Sequence, residues 1–405
     1  MNARAALIAL LAVAAAFATQ PVAAAPQAAV LDPLPASARV RAIGWRDSYQ
    51  RWIEIALDMV GHHGLSAARC ARVYAAVSMA QSQAWALVTA APDRSIDPAR
   101  AASIPISVAS RDVLASLFPD EITRFDQILD EAINAERLTR TVHPRALADA
   151  RALGHQAAAP VIAHLTRDGG NDAPWYGPAQ VGAWRSRDGE AGVDPTWGTV
   201  QAWIPEIGGL ELPPPPRPGS PAWEAAVAEL RAVGAGLTAE QRDIAIRWAG
   251  GPVGYAPPDL WNLIALDLIN RERLPIGQAL EALRTMNVAM ADAGIAAWRV
   301  KYATAVMRPW QADPGVVMLV KVPAFPSYPS GHSVFSWAAA GTLSAAVPSA
   351  RAELTARAEE AALSRVYGGI HFRFDLEGGR VLGENAARLA LRSTPQLPST
   401  IISNP

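Results

Sequence analysis

The sequence predicts an all-α fold, with helical bundles in two halves, and three observations carry that prediction. Alanine, leucine, arginine and glutamate dominate the chain while alternating β-branched runs are scarce, a helix-forming composition. Capping residues and Gly or Pro stops bracket the long segments. Between two groups of such segments, residues 168–220 are rich in Gly, Pro and Trp and lose the helical period.

Taken in order, Ser66–Val88 reads as one long helix, with Ser66 as N-cap and Ala91-Pro92 as its stop. Helices follow near 107–117, 120–136 and 145–166, completing an N-terminal half over 25–167. The connecting segment contains Leu212-Pro-Pro-Pro-Pro-Arg-Pro218, an extended polyproline stretch. Its Trp175, Trp184, Trp197 and Trp203 suit a packed cover better than a flexible linker. The second half, 221–395, holds helices at 221–235, 238–249, 258–272, 276–303, 332–346, 350–367 and 379–392. Ser349 is expected to cap the penultimate helix and Gly368-Gly369 to end it, and residues 396–405 form a tail.

At 405 residues and 51% hydrophobic, the chain has ample material for a core. The near-even balance of 36 basic and 37 acidic residues speaks against a nucleic-acid partner, which would favour a basic face. Residues 1–24 read as a secretory signal: Arg4, an apolar run from Ala5 to Ala18, a break at Gln20-Pro21, and small residues Val22 and Ala24 before the cut. Export to the periplasm or medium is therefore expected. No later stretch is long and apolar enough for stable membrane insertion. Cys70, the only cysteine, is expected to be a buried, inert thiol. No His-Glu-x-x-His or Cys/His zinc spacing occurs, so no divalent metal is expected. His62 and His63, adjacent in a Gly-flanked turn, are expected to point apart.

The chemistry concentrates in three ordered blocks: Lys301-x6-Arg308-Pro309, then Pro329-Ser330-Gly331-His332, then Ser364-Arg365-x3-Gly369-x-His371-x3-Asp375. Guanidinium forks and an ammonium suit a compact oxyanion, and a Ser-Gly pair opening a helix adds backbone donors there. The spacing of seven would put Lys301 and Arg308 on one face of a continuous helix, with Pro309 as the stop. His371 and Asp375 stand four apart, so the carboxylate can reach the ring and fix its tautomer. His332 is the second imidazole, available for proton transfer.

These blocks, in this order, resemble the superfamily that unites type 2 phosphatidic acid phosphatases (PAP2), bacterial acid phosphatases and vanadium-dependent haloperoxidases. The resemblance is most specific over 292–376. It implies bundles of the PAP2/haloperoxidase type and an oxyanion held by Lys301, Arg308, Ser330, Gly331 and Arg365. His371 would be the nucleophile of a phosphatase or the vanadium ligand of a haloperoxidase, and His332 the acid–base residue. Trp298 and Phe325 match positions that flank the halide approach in fungal-type chloroperoxidases, although core packing is the plainer role of such residues. The leading expectation is a haloperoxidase using vanadate, hydrogen peroxide and halide. The alternative is a phosphatase acting on a phosphomonoester through a phosphohistidine, with no cofactor. A non-catalytic oxyanion binder is the third.

Overall fold

In the computed structural model the described residues are 48–90, 97–139, 143–169, 174–178, 182–187, 189–251 and 254–393, so the expected signal segment and tail lie outside them. Twelve helices of two or more turns carry the fold: α1 Ser48–His62, α2 Ala67–Ala90, α3 Pro98–Leu117, α4 Ile122–Thr139, α5 Pro144–Leu165 and α6 Pro221–Ala235, then α7 Ala239–Trp248, α8 Pro257–Glu272, α9 Ile276–Thr304, α10 Gly331–Ala346, α11 Arg351–Tyr367 and α12 Arg373–Ala390. No strand occurs among the described residues, and the all-α expectation holds.

The two groups of helices share a core. α9 runs through the centre and packs on α2 from the first group and on α10 and α12 from the second. Its composition explains the position, because Ala279, Ala282, Ala289, Ala293, Ala296 and Ala297 let neighbouring helices approach from several sides. α10 and α12 also approach closely: a Cβ at Gly383 would stand 2.5 Å from the Val334 carbonyl oxygen, and one at Gly379 would stand 2.6 Å from Ser333 Cβ. Buried polar pairs fix the register both across the groups and within the second. Asn287 donates to Ser78 Oγ at 2.9 Å, and Asn262 donates to Asn287 at 2.9 Å. Tyr74 donates to Asp259 at 2.8 Å, and Trp261 donates to Ser336 at 2.8 Å. Each satisfied pair avoids the cost of a dry, unpartnered polar group. Cys70 is buried as expected, and burial pushes its thiol further up.

The connecting segment lies packed across both groups. Asp194 accepts from Arg69 Nε at 2.7 Å and from the Ser66 hydroxyl on the α2 side. Asp292 of α9 accepts the backbone N–H groups of Trp203 and Ile204 at 2.9 and 2.7 Å. Trp184, Trp197 and Trp203 are buried, whereas Trp175 is half-buried and stacks on Trp184.

Three local expectations differ, and one helix was not anticipated. α1 had no clear sequence signal. α3 begins at Pro98, capped by Asp97, and tolerates Pro105 inside it. Ser349 does not cap α11; it lies in the short 3₁₀ turn Pro348–Ala350. α12 starts at Arg373, because the Asp375 carboxylate accepts the Phe372 backbone N–H at 3.0 Å and nucleates the helix there.

Candidate functional site

All three blocks converge. Lys301 comes from the last turn of α9, Arg308 from the following loop, Ser330 and Gly331 from the start of α10, Arg365 from the last turn of α11, and His371 and Asp375 from the entry to α12. The single helical face expected for Lys301 and Arg308 is not what the chain adopts. α9 ends at Thr304, where Ala305 turns left-handed at φ 48° and its N–H closes on the Lys301 carbonyl. The Ala305 carbonyl is taken by Trp184 N–H at 2.6 Å, and the Val306 carbonyl by Ser327 N–H at 2.9 Å. Tertiary bonds therefore unwind the helix before Pro309 can stop it.

His371 is buried and its two nitrogens have distinct partners. Nδ1 lies 2.9 Å from Asp375 Oδ2, and Nε2 lies 2.9 Å from Arg308 Nη1. A guanidinium only donates, so Nε2 must present its lone pair and the proton sits on Nδ1. Burial first, then the cations Arg308 and Lys301, hold the His371 pKa well below its ordinary value, so the ring is neutral at pH 7. Ser327, which the sequence reading did not single out, completes this arrangement. Its hydroxyl donates to Asp375 Oδ2 at 2.5 Å and lies 3.3 Å from His371 Nδ1. Burial raises Asp375 to about 6, opposed by the Ser327 hydrogen bond and the Lys301 charge.

Arg308 donates Nε to the Phe325 carbonyl and Nη1 to the Ile370 carbonyl, both at 2.9 Å, while Nη2 is buried with no partner. Arg365 donates Nε to Ser364 Oγ at 2.9 Å and Nη2 to the Ala245 carbonyl at 3.0 Å. Burial lowers Arg308 to about 10 and Arg365 to about 9, which leaves both charged at neutral pH. Lys301 is fully buried, and its ammonium donates to the carbonyls of Pro326 at 2.9 Å, Ser327 at 3.0 Å and Pro329. An ammonium has three N–H donors. In this structure all three hold the loop that leads into α10, so Lys301 offers the cage its charge and no spare N–H.

Ser330 stands at the N-cap of α10 but makes no cap bond, and its hydroxyl is buried without a partner. A plain capping role is thereby removed. Gly331 opens the helix, where backbone N–H groups have no intrahelical acceptor. His332 Nε2 lies 2.7 Å from the Trp248 carbonyl. A carbonyl only accepts, so Nε2 carries the proton and Nδ1 is bare. Burial, then Arg365, depress the His332 pKa well below its ordinary value, so the ring at rest is an acceptor.

Trp298 and Phe325 stand together, ring centroids 5.3 Å apart. The Phe325 ring also lies 5.0 Å from Lys301 Nζ and 4.9 Å from the Arg308 guanidinium carbon, so this aromatic pair borders the cations directly. A cavity of about 360 Å³ opens nearby, its wall including Trp184, Arg185, Lys321, Pro323 and Ala324, the last adjoining Phe325 in the chain.

The donor set fits an oxyanion. Lys301, Arg308 and Arg365 are buried, and burial lowers the pKa of each; three carbonyls around Lys301 Nζ nevertheless require the three N–H donors of an ammonium, and the carboxylate that acts on this group, among the described residues, is Asp375. The cationic side chains thus outnumber the carboxylate, and two buried donors, Arg308 Nη2 and Ser330 Oγ, lack an acceptor. A tetrahedral anion carrying two or three charges answers both deficits.

Residues 282–398 match the PAP2 superfamily, the span that contains every residue of the cage. Among solved structures, the chain is similar to the first bacterial vanadium-dependent iodoperoxidase, with a TM-score of 0.73 at 21% identity, covering 86% of this chain and 96% of that one. It is also similar to a bacterial vanadium-dependent chloroperoxidase in its holo form, with a TM-score of 0.58 at 16% identity, covering 79% and 89%. For the apo form the values are 0.59 and 15%, covering 80% and 93%. None of the curated protein sequences matches the chain. The match to the PAP2 superfamily is thus confined to residues 282–398, and the fold as a whole is similar to that of those peroxidases.

Proposed function

We propose that the protein is a vanadium-dependent haloperoxidase. The observation that carries this reading is the excess of buried positive charge around two partnerless donors, with a neutral imidazole nitrogen facing Arg308. Vanadate would be held at His371 Nε2 and by Arg308, Arg365, Ser330 and the Gly331 amide, with Lys301 adding charge. A bound anion would take the place of the Arg308–His371 contact and would find three Arg308 N–H donors, one on Nη1 and two on Nη2. When bound, vanadate supplies a Lewis acid that activates hydrogen peroxide for attack by halide. Within the protein, Asp375 holds the His371 proton on Nδ1, so Nε2 stays available as a ligand. His332 accepts a proton at Nδ1, because its other nitrogen is committed to Trp248. The aromatic pair Trp298 and Phe325 offers a weakly hydrated halide an apolar border next to the cationic centre.

A PAP2-type phosphatase is the second reading, favoured by the family match and by the same His371–Asp375 pair. There, Nε2 would attack phosphorus and His332 would protonate the leaving alkoxide. One purified sample decides between them. Bromination and iodination of an activated diketone with peroxide and added vanadate are compared with hydrolysis of an aryl phosphate. The haloperoxidase reading expects vanadate-dependent halogenation that inorganic phosphate inhibits competitively. Efficient phosphate hydrolysis with no halogenation at any vanadate concentration overturns it in favour of the phosphatase.

A further inference from the structure

Far along the chain from the cage, two imidazoles and a carboxylate converge on one point. His62 Nε2 and His63 Nε2 lie 3.9 and 3.8 Å from the same oxygen of Glu121, and the three ligand atoms fall within 4.8 Å of one another. Adjacent side chains on a continuing helix diverge by about 100°, which is why the sequence leads one to expect these rings to point apart. The structure corrects that expectation, because α1 ends at His62 and the chain reverses through Gly64 at φ 58°. Leu65 N–H then closes on the Val60 carbonyl, and the two rings meet edge to face at 5.1 Å. The His63 ring rests 4.9 Å from Phe118, which precedes the 3₁₀ turn Pro119–Glu121.

Distances of 3.8 and 3.9 Å are too long for a hydrogen bond. They exceed only slightly the separation of neighbouring donors around one first-row divalent ion, for which metal–ligand bonds are about 2.0–2.2 Å. The other Glu121 oxygen faces Arg124 at 3.8 Å, so the oxygen between the imidazoles is the one left for a ligand. The closing carbonyls of α1 add the negative end of a helix at the same place. Side-chain exposure falls from 67% at His62 to 32% at His63 and 19% at Glu121, an open side for water and a shielded floor.

We infer that His62, His63 and Glu121 form a binding site for a divalent transition-metal ion of the zinc class, which ties the end of α1 to the turn before α4. Two imidazole nitrogens and one carboxylate oxygen, completed by water, are a borderline donor set that selects zinc, nickel or copper over magnesium or calcium. The test uses the full chain without a polyhistidine tag. Titration calorimetry with zinc chloride should show one ion bound per chain, absent with magnesium. His63→Ala and Glu121→Gln should each weaken binding at least tenfold, while His155→Ala should leave it unchanged. Saturating zinc should raise the melting temperature of wild type and not of Glu121→Gln. Cobalt(II) added instead should give a visible d–d spectrum that Glu121→Gln loses. Equal zinc affinity in wild type and His62→Ala/His63→Ala, or no zinc binding by wild type, overturns the inference.

Discussion

Asp375 Oδ2 receives three donors at once, the Ser327 hydroxyl at 2.5 Å, the His371 Nδ1–H at 2.9 Å and the Phe372 backbone N–H at 3.0 Å. The carboxylate is thereby aimed before any ligand arrives, and the imidazole tautomer follows from it. Ser327→Ala should therefore leave the cage residues in place and loosen only the aim. Outer-shell partners of this kind are worth about 10–100-fold in affinity or activity. The expected result is a loss in that range in vanadate affinity or turnover, with rescue by Ser327→Thr. His371→Ala, for comparison, should abolish activity with an unchanged circular dichroism spectrum. A Ser327→Ala enzyme indistinguishable from wild type would reduce Ser327 to packing.

Lys301 tests whether a buried cation serves the loop or the ligand. Lys301→Met leaves the carbonyls of Pro326, Ser327 and Pro329 without their donor. A buried polar group left unpaired costs about 1–3 kcal/mol, so the variant should lose at least about 3 kcal/mol in urea unfolding without oxyanion present. If the lysine acted only as a counter-charge, removing it from an anion-free cage would stabilise the protein. The sign of the change distinguishes the two roles.

Trp298 and Phe325 concern the halide. Phe325→Leu keeps an apolar side chain but removes the ring that borders Lys301 and Arg308. The Michaelis constant for halide should rise several-fold while vanadate affinity changes less. Trp298 is buried, so Trp298→Ala adds a cavity cost of about 3–5 kcal/mol, and its kinetics must be read beside its melting temperature. Vanadate affinity falling as much as halide affinity would assign both rings to support of the cage.

Asp292 makes a prediction about pH. Burial raises its pKa to about 8, against an ordinary 3.8, despite the hydrogen bonds from Ile204 and Trp203. The folded state therefore binds the proton more tightly than the unfolded chain. Its contribution to stability is fully present below about pH 4 and is lost as pH rises toward 8. Asp292→Asn removes that titration. The stability of wild type relative to the variant should decline from pH 5 to 8, by at most about 1.4 kcal/mol per unit. A difference independent of pH would mean the carboxylate is ionised throughout.

Sequence patterns located most of the helices because composition and capping act locally. The segments 221–235 and 258–272 were read nearly to the residue, and Thr238 caps α7 with the reciprocal Gln241 bond that such sequences favour. Where tertiary contacts decide, the pattern was silent or misleading. The helix 276–303 was placed to within a residue, but the course of the chain after it, held by Trp184 and Ser327 from distant parts of the sequence, was not, and Ser349 lost its capping role to a 3₁₀ turn. The three blocks stood out in the sequence because their residue types and spacing form a recognisable pattern, and the structure brings them together. Ser327 was not, since a serine in a Pro-rich loop carries no signal of its carboxylate partner. The backbone carbonyls that occupy Lys301 and His332 leave no trace in side-chain identity at all. His62 and His63 were misjudged because their convergence depends on where α1 ends.

The packing of α9 bears on any attempt to make the protein smaller. The span 282–398 contains the whole cage, yet its first helix is covered on one side by α2, and Asp292 within it is capped by the backbone of Trp203 and Ile204. Cutting the gene to that span would present a long apolar stripe to water and strip a buried carboxylate of its donors. Such a fragment should accumulate as insoluble material, and homologues compared through this segment alone would omit the helices that cover α9.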